Sequence, residues 1–283
     1  MGGGFPIVPR MSYTSINGTK LFYTIVGQGE PCLVMHGSLG MDHTLVHPGL
    51  DRLGEIFQLV YYDHRCNGRS GRSPIETLTW EQLAHDAEGL RRHLDFGKIS
   101  IATHSLGAFV ALEYALRYPQ WIDRLILIGA VPAFDYFPEV IANMKERGAS
   151  DEVVALLDFS QVTSDEVCKE QFHRLAPLYF HRPTNGLIEQ ALGRVQFCIE
   201  ACRVMPSLIA TYTLEPRLKD ICVPTLVLAG ADDFVTPVSQ VVRLRDGIPN
   251  ATMAVFEQSG HLPYLEEPDE FFRVVREWIG KHP

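Results

Sequence analysis

Ser105 is the residue whose surroundings most clearly indicate chemistry. It lies in the run IATHSLGA (residues 101–108), where an apolar strand meets small residues and then an apolar helical stretch. A serine at such a turn projects its hydroxyl at the positive end of the helix, as in the G-x-S-x-G pattern of serine nucleophiles. Thr103 stands where that pattern has its first glycine, at a position that tolerates a modest side chain. A plain helix N-cap is the alternative role for this serine.

A serine hydroxyl is a weak nucleophile near neutral pH and needs a base that an acid orients. The order serine, acid, histidine places the acid in the run LVLAGADDFVTP (residues 226–237), which is typical of a strand followed by a loop. Spacing in that loop favours Asp233 over Asp232, and helix capping is the alternative use of the carboxylate. The base is then His261, in the loop SGHLPY after the last strand. The sequence therefore predicts a Ser105–His261–Asp233 triad.

Two backbone N–H groups are needed to bind the negative oxygen that forms when a serine attacks a carbonyl carbon. The N–H of Leu106, directly after the nucleophile, is one expected donor. We expect the other from Ser38 in the run HGSLG (residues 36–40), which follows the third strand. Gly37 and Gly40 permit the close backbone approach that this role requires, and an ordinary glycine-rich turn is the alternative interpretation.

Strands and helices alternate along most of the chain, and these elements must position the site. Eight strands are predicted, at residues 12–16, 20–26, 31–35, 57–62, 98–103, 124–128, 224–229 and 251–256. Helices are expected near 43–55, at 79–94 after the N-cap Thr79, and at 106–118, 238–245 and 269–280. The alternation predicts an α/β fold with a mostly parallel eight-stranded sheet flanked by helices.

A segment of different character interrupts this alternation. Residues 131–216 show helical periodicity and no convincing strand, so we predict a helical cap there. The predicted core comprises residues 12–130 and 217–283, and residues 1–11 form an N-terminal tail without a signal-peptide pattern. The cap is expected over the carboxyl edge of the sheet, where open α/β sheets bind ligands.

Charge and hydropathy argue against several other functions. The formal net charge is −9 and no cluster of Lys and Arg stands out, so neither nucleic acid nor an anionic membrane is an expected partner. The sequence contains no run of 18 apolar residues, so we expect no transmembrane helix, and we expect a cytoplasmic location. The expected partner is a small-molecule substrate.

Neither a metal nor another cofactor is expected. Asp42, His43 and His47 are close in sequence, but the chain has no H-E-x-x-H motif and no evident third ligand. The six cysteines form no C-x-x-C pair and are expected to be reduced thiols; they are Cys32, Cys66, Cys168, Cys198, Cys202 and Cys222.

Together these motifs resemble the α/β-hydrolase superfamily, and the resemblance extends from Tyr13 over nearly the whole chain. The run DHRCNGRS (residues 63–70) is similar to its D-x-R-G-x-G-x-S signature, with Cys66 where glycine is common. The run LEYALRYP (residues 112–119) resembles the helix that follows the nucleophile. The branch that looks most similar is that of proline-iminopeptidase-like esterases and lactonases. The resemblance implies the α/β-hydrolase fold and hydrolysis through an acyl-enzyme.

We expect the substrate to be a carboxylic ester or lactone, including acyl-homoserine lactones, because HGSLG departs from the HGGPG of true proline iminopeptidases. An apolar cap suits an acyl chain. An aminopeptidase is the alternative, with Glu200 holding a free α-amine; a helix-surface position is the other interpretation of that residue. A ligand receptor and a cofactor-free peroxidase are further alternatives. Substrate contacts are expected from Gly37, Leu39, Phe134, Glu200 and Leu262.

Overall fold

A single eight-stranded sheet organises the fold. The computed structural model describes residues 11–282, so the predicted tail lies, except for its last residue, outside the described residues. In chain order the strands are β1 (Ser12–Ile16), β2 (Thr19–Val26), β3 (Glu30–Met35), β4 (Phe57–Tyr62), β5 (Ile99–His104), β6 (Ile122–Ile128), β7 (Thr225–Gly230) and β8 (Ala251–Phe256). Their order in the sheet is β1-β2-β4-β3-β5-β6-β7-β8. Strand β2 pairs antiparallel with β1 and β4, and the other neighbours are parallel. The predicted mostly parallel eight-stranded sheet is confirmed.

Every residue of β5 and of β7 is buried, whichever face of the sheet its side chain points to. Both faces of the sheet are therefore covered, as is typical of parallel sheets flanked by helices. Five of the ten α-helices in the described part of the chain belong to the α/β alternation: α1 (Trp80–His93), α2 (Gly107–Arg117), α8 (Val238–Gly247), α9 (Pro263–Glu266) and α10 (Pro268–Lys281). The other five lie between β6 and β7: α3 (Phe137–Glu146), α4 (Asp151–Ala155), α5 (Asp165–Leu175), α6 (Asn185–Leu192) and α7 (Ile199–Ala210). Parallel pairing places the carboxyl ends of β3, β5, β6, β7 and β8 at one edge of the sheet, where their following loops can meet.

The helix expected near residues 43–55 is wrong. Two short 3₁₀ turns occupy that stretch, His43–Leu45 and Asp51–Glu55. Pro48 lies between them, and proline has no N–H with which to continue a helix. Thr79 does cap α1, since its hydroxyl accepts the N–H of Gln82 at 3.1 Å.

The two ends of the predicted cap lie against each other. Ala133 and Thr213 form an antiparallel bridge, and the N–H of Leu214 donates to the carbonyl of Pro132 at 2.9 Å. The helices between these ends therefore leave and rejoin the sheet at one place, between its neighbouring strands β6 and β7. Within residues 11–282, none of the helices is both long and apolar enough to cross a bilayer.

Candidate active site

Ser105 occupies the turn between β5 and α2 in a strained conformation. Its φ is +53°, in the left-handed region that side chains other than glycine rarely adopt. The N–H of Ser105 donates to the carbonyl of Ile128 at 2.8 Å, which ties the turn to the end of β6. Gly107 allows α2 to begin close to β3, because a Cβ there would lie 2.5 Å from the carbonyl oxygen of Met35. Thr103, at the variant motif position, is fully buried, and its hydroxyl has no hydrogen-bond partner among the described residues. The serine is thus presented at the carboxyl edge of the sheet.

His261 and Asp233 come together at the same edge. The Nδ1–H of His261 donates to Oδ2 of Asp233 at 2.6 Å, and both residues are buried. Asp233 also accepts the N–H groups of Val235 and Thr236, each at 2.9 Å, and the Thr236 hydroxyl at 2.5 Å. Asp232 points elsewhere, and its carboxylate pairs with His181. Of the two neighbouring carboxylates, only Asp233 therefore orients His261.

The surroundings keep Asp233 ionised. Burial by itself would raise the pKa of the Asp233 carboxyl, but the charge and hydrogen bond of His261 and the donors of Thr236 hold it below its ordinary value. An ionised acceptor fixes the proton of His261 on Nδ1 and leaves Nε2 free to accept another.

Three further buried histidines stay neutral near pH 7. Burial lowers the pKa of His104 to about 3, with the neighbouring His261 acting in the same direction. Burial also lowers the pKa of His36 and, more strongly, of His64. The Nε2 of His36 accepts the N–H of His64 at 3.2 Å, so its proton lies on Nδ1, which donates to the Gly37 carbonyl at 2.8 Å. These rings therefore hold the loops that surround the site without adding charge to it.

The loop with Ser38 lies beside the serine turn. A Cβ at Gly37 would be 2.9 Å from the Cβ of Ser105, so the loop passes the serine in close contact. Ser38 has a φ of +45°, and the N–H of Gly40 donates to Oδ1 of Asn67 at 2.5 Å. Among hydrogen bonds of the described residues, none uses the backbone N–H of Ser38 or of Leu106. Both N–H groups are therefore available to a ligand.

A mostly apolar cavity of about 720 Å³ opens at this edge of the sheet. Its wall contains Ser105, His261, Ser38 and Leu106. Aliphatic and aromatic side chains from both the core and the predicted cap make most of the rest, among them Met41, Phe109, Phe134, Phe159, Leu192 and Ile209. A volume of this size is within the range of small-molecule binding sites.

The structure brings some predicted substrate contacts to this cavity and leaves others outside. Phe134 and Leu262 line it. Gly37 and Leu39 are buried behind the wall. Glu200 is exposed in the first turn of α7, outside the cavity, where its carboxylate accepts the Cys198 thiol at 3.1 Å. The position of Glu200 inside the apolar run 195–201 predicts a substrate contact, but the helix turns that side chain outwards.

Sequence reasoning missed a buried cluster of Asp42, His43 and Asp63 close to this loop. Their ligand-type atoms lie within 4.8 Å of one another, an arrangement that a metal ion could occupy. Each carboxylate oxygen already has a protein donor, however. Asp63 accepts the N–H and Nδ1 of His43 at 2.9 and 2.7 Å and the N–H of Arg69 at 2.7 Å. Asp42 accepts Thr44 and the Arg69 guanidinium. We therefore interpret the cluster as an ion-pair network that holds the loop after β3, which carries Ser38.

A mostly parallel sheet with a serine in a strained strand-to-helix turn, and a histidine and an aspartate on later loops, defines an α/β hydrolase. The chain belongs to the alpha/beta hydrolase fold family, whose sequence profile matches residues 31–268. The predicted fold and the predicted superfamily are thereby confirmed.

Individual proteins similar to this chain differ in what they are named for. A protein of Rhizobium rhizogenes to which carbamate hydrolysis is ascribed, RutD, is 27% identical over 87% of this chain and 92% of its own length. The proline iminopeptidase PfmaB of Pestalotiopsis fici is 24% identical over 96% of this chain and 100% of its own. A thermophilic esterase from Thermogutta terrifontis superposes with a TM-score of 0.76, at 25% identity, over 98% of this chain and 99% of its own. The relatives agree on hydrolysis and leave the bond that is cleaved open.

Proposed function

We propose that this protein hydrolyses a carboxylic ester or lactone with an apolar acyl group, through an acyl-enzyme on Ser105. The Ser105 Oγ attacks the carbonyl carbon while Nε2 of His261 takes its proton. The N–H groups of Ser38 and Leu106 bind the oxyanion, and Asp233 stabilises the imidazolium. His261 then gives its proton to the departing alkoxide. An ester releases its alcohol at this step, whereas the hydroxyl formed from a lactone stays attached to the acyl chain. A water molecule, deprotonated by His261, attacks the acyl-enzyme, and the acid is released as Ser105 regains its proton.

One observation carries the proposal. Ser105 and the Asp233-oriented His261 share the wall of an apolar cavity with two backbone N–H groups that have no acceptor within residues 11–282. A nucleophile, a base with a fixed tautomer and an oxyanion site are the parts that acyl transfer requires. The esterase from Thermogutta terrifontis supports the same reading at the level of reaction class.

The charges around the cavity favour an ester or lactone over a substrate with a free amine. Two carboxylates belong to the wall, Asp135 and Asp158. Asp135 is already bound by both terminal nitrogens of Arg243, at 2.8 and 3.0 Å. Asp158 is exposed and accepts the N–H and hydroxyl of Ser160. Asp135 is thus neutralised by Arg243 and Asp158 is exposed to solvent, so neither offers a buried partner to an ammonium group, and a buried ammonium without one is unfavourable.

A substrate panel tests the proposal. We expect the wild type to cleave p-nitrophenyl esters and γ-lactones and to leave prolyl-naphthylamide, the substrate type of the iminopeptidase alternative, unchanged. Ser105→Ala should lose activity by a factor of about 10⁴ or more, as expected when a triad nucleophile is removed. Ser207→Ala is the matched control, because that serine is an exposed residue of α7. Ester turnover that persists in Ser105→Ala, or prolyl amide cleavage without ester cleavage, would contradict the proposal.

A further inference from the structure

Residues 179–182 connect the predicted cap to the loops of both His261 and Asp233, and we call this segment the clasp. It begins at the last residue of a 3₁₀ turn, Ala176–Tyr179, and precedes α6. The carbonyl of Tyr179 accepts the backbone N–H of His261 at 2.7 Å. Contact at this point is tight, because a Cβ at Gly260 would lie 2.3 Å from the same carbonyl oxygen. The position of the base is therefore set partly by a main-chain group of the insertion.

Glu266 fastens the clasp to the loop that carries His261. Its Oε2 accepts the N–H of Gly260 at 2.7 Å. Its Oε1 accepts the N–H of His181 at 2.9 Å and that of Arg182 at 3.2 Å. A half-buried carboxylate with three main-chain donors joins the two segments more strongly than uncharged partners would.

The other side of the clasp meets the loop that carries Asp233. The His181 imidazole pairs with the Asp232 carboxylate, and the Arg147 guanidinium binds the carbonyls of both Asp232 and Phe180. The Tyr179 ring packs edge-on against Phe234, with ring centroids 4.9 Å apart. It also lies 5.5 Å from the His261 ring. The clasp thus touches the acid loop and the base loop at once.

His104, from the serine turn, holds His261 from the other direction. Its Nε2–H donates to the His261 carbonyl at 2.9 Å, and the two rings lie 4.5 Å apart. The N–H of His261 is therefore bound to the clasp, and its carbonyl is bound to the residue before the nucleophile. Together these two hydrogen bonds fix the backbone on which the base is mounted.

We propose that the clasp, through Tyr179, positions His261 for proton transfer, so that the cap contributes to catalysis as well as to the cavity. The inference rests on the proposed function. Proton transfer from Ser105 requires the imidazole within hydrogen-bond reach of the hydroxyl, and a displacement of about 1 Å reduces rates by about 100-fold. A clasp that only docked the cap would affect stability and leave the chemistry of the folded molecule unchanged.

Gly260→Ala is the sharpest perturbation, because the new Cβ displaces the Tyr179 carbonyl without entering the cavity. We expect kcat for p-nitrophenyl butyrate to fall about 10- to 100-fold. KM should change less than kcat, because Gly260 is not part of the cavity wall, although the adjacent Tyr179 and Phe180 are. Inactivation by a fluorophosphonate, which also needs the base, should slow in parallel. Gly186→Ala is the matched control, because that glycine lies in α6 with no atom closer than 3.9 Å to an added Cβ. It should keep wild-type kcat.

Side-chain variants keep the test decisive if Gly260→Ala does not fold. Glu266→Gln places an amide against main-chain donors and should also lower kcat by about tenfold or more. Tyr179→Leu should do the same, and Tyr179→Phe, which keeps the ring on His261, should restore most of the rate. Wild-type kcat per fluorophosphonate-titrated site in folded Gly260→Ala or Glu266→Gln would overturn the inference. Loss of the proposed function itself is distinguished by Ser105→Ala, since ester turnover independent of Ser105 contradicts that proposal instead.

Discussion

Acyl-chain length should control the rate of this enzyme through the apolar wall of its cavity. Each methylene moved from water into an apolar environment contributes about 0.8 kcal/mol, and about 1.4 kcal/mol corresponds to a factor of ten. Lengthening the acyl group of a p-nitrophenyl ester from acetyl to hexanoyl adds four methylenes, so kcat/KM should rise by up to about 200-fold, or about fourfold per methylene. The cavity of about 720 Å³ leaves room for the whole hexanoyl chain.

A charged chain end provides the counter-test. The 6-aminohexanoyl ester has nearly the same length, but it would place an ammonium group in a wall whose carboxylates, Asp135 and Asp158, are engaged or exposed. Its kcat/KM should be at least about 100-fold below that of the hexanoyl ester. The assay is release of p-nitrophenolate at subsaturating ester for the series acetyl, butyryl, hexanoyl and 6-aminohexanoyl.

A wall variant ties the effect to this cavity. Phe134→Ala removes part of the apolar lining and should lower the gain per methylene, whereas Trp121→Ala, which alters a partly exposed aromatic residue outside the wall, should leave it unchanged. A flat or falling kcat/KM from acetyl to hexanoyl, or an equal slope in Phe134→Ala, would refute the reasoning. Either result would mean that the acyl chain does not bind where the structure has its apolar surface.

Two further predictions follow from the buried titratable groups. Asp233→Asn should lower kcat/KM by about 10⁴, because the new amide no longer fixes the tautomer of His261. Asp232→Asn only weakens the clasp and should lower kcat/KM by no more than about tenfold. Equal losses in the two variants would contradict the assignment of Asp233, and not Asp232, as the triad acid. Acid should destabilise the fold well above the carboxylate range. The pKa of His104 is about 3 in the folded protein and about 6.5 in the unfolded chain. Between these pH values the unfolded chain binds one more proton at His104 than the folded protein does. The free energy of unfolding therefore falls by up to about 1.4 kcal/mol for each pH unit by which the pH is lowered. Urea midpoints at pH 7, 5.5 and 4 measure this loss, His104→Phe should reduce it, and a midpoint that did not change with pH would contradict it.

The sheet could be predicted from the sequence because its strands are short apolar runs bounded by turn residues. All eight were found, and β8 was found at its observed bounds, Ala251–Phe256. The helix predicted near residues 43–55 does not form because Pro48 interrupts it, and because His43 in this stretch pairs with a residue distant in sequence, Asp63. Local pattern thus sufficed where burial alone selects the element, and failed where a distant partner does.

Motif and chain order predict a serine, an acid and a histidine for the triad, but they do not predict the groups that hold these residues. Asn67 binds the Ser38 loop from the run DHRCNGRS, whose pattern does not indicate this contact, and the free N–H groups of Ser38 and Leu106 are properties of backbone geometry. The predicted substrate contact of Glu200 fails for a related reason. The buried face of α7 is formed by Ala201, Cys202 and Met205, and an apolar run alone does not reveal which way the residue before them points.

The clasp leaves no local signal because its partners are main-chain groups selected by topology. The insertion leaves the sheet after β6, whose last carbonyl holds the Ser105 turn, and returns at β7, which leads into the Asp233 loop. An insertion between those two strands lies close to the ends of both. The loop after β8, which carries His261, is then the one catalytic loop that it does not adjoin in sequence. Tyr179 contacts the His261 loop through its backbone carbonyl and through its ring. Any residue could supply the carbonyl, but few residues could supply the ring. The three predicted catalytic groups come from the ends of three different strands. A segment that contacts both the Asp233 loop and the His261 loop therefore restricts the relative movement of these loops. Substitutions of its side chains are then expected to affect the catalytic rate, although no sequence motif marks these residues.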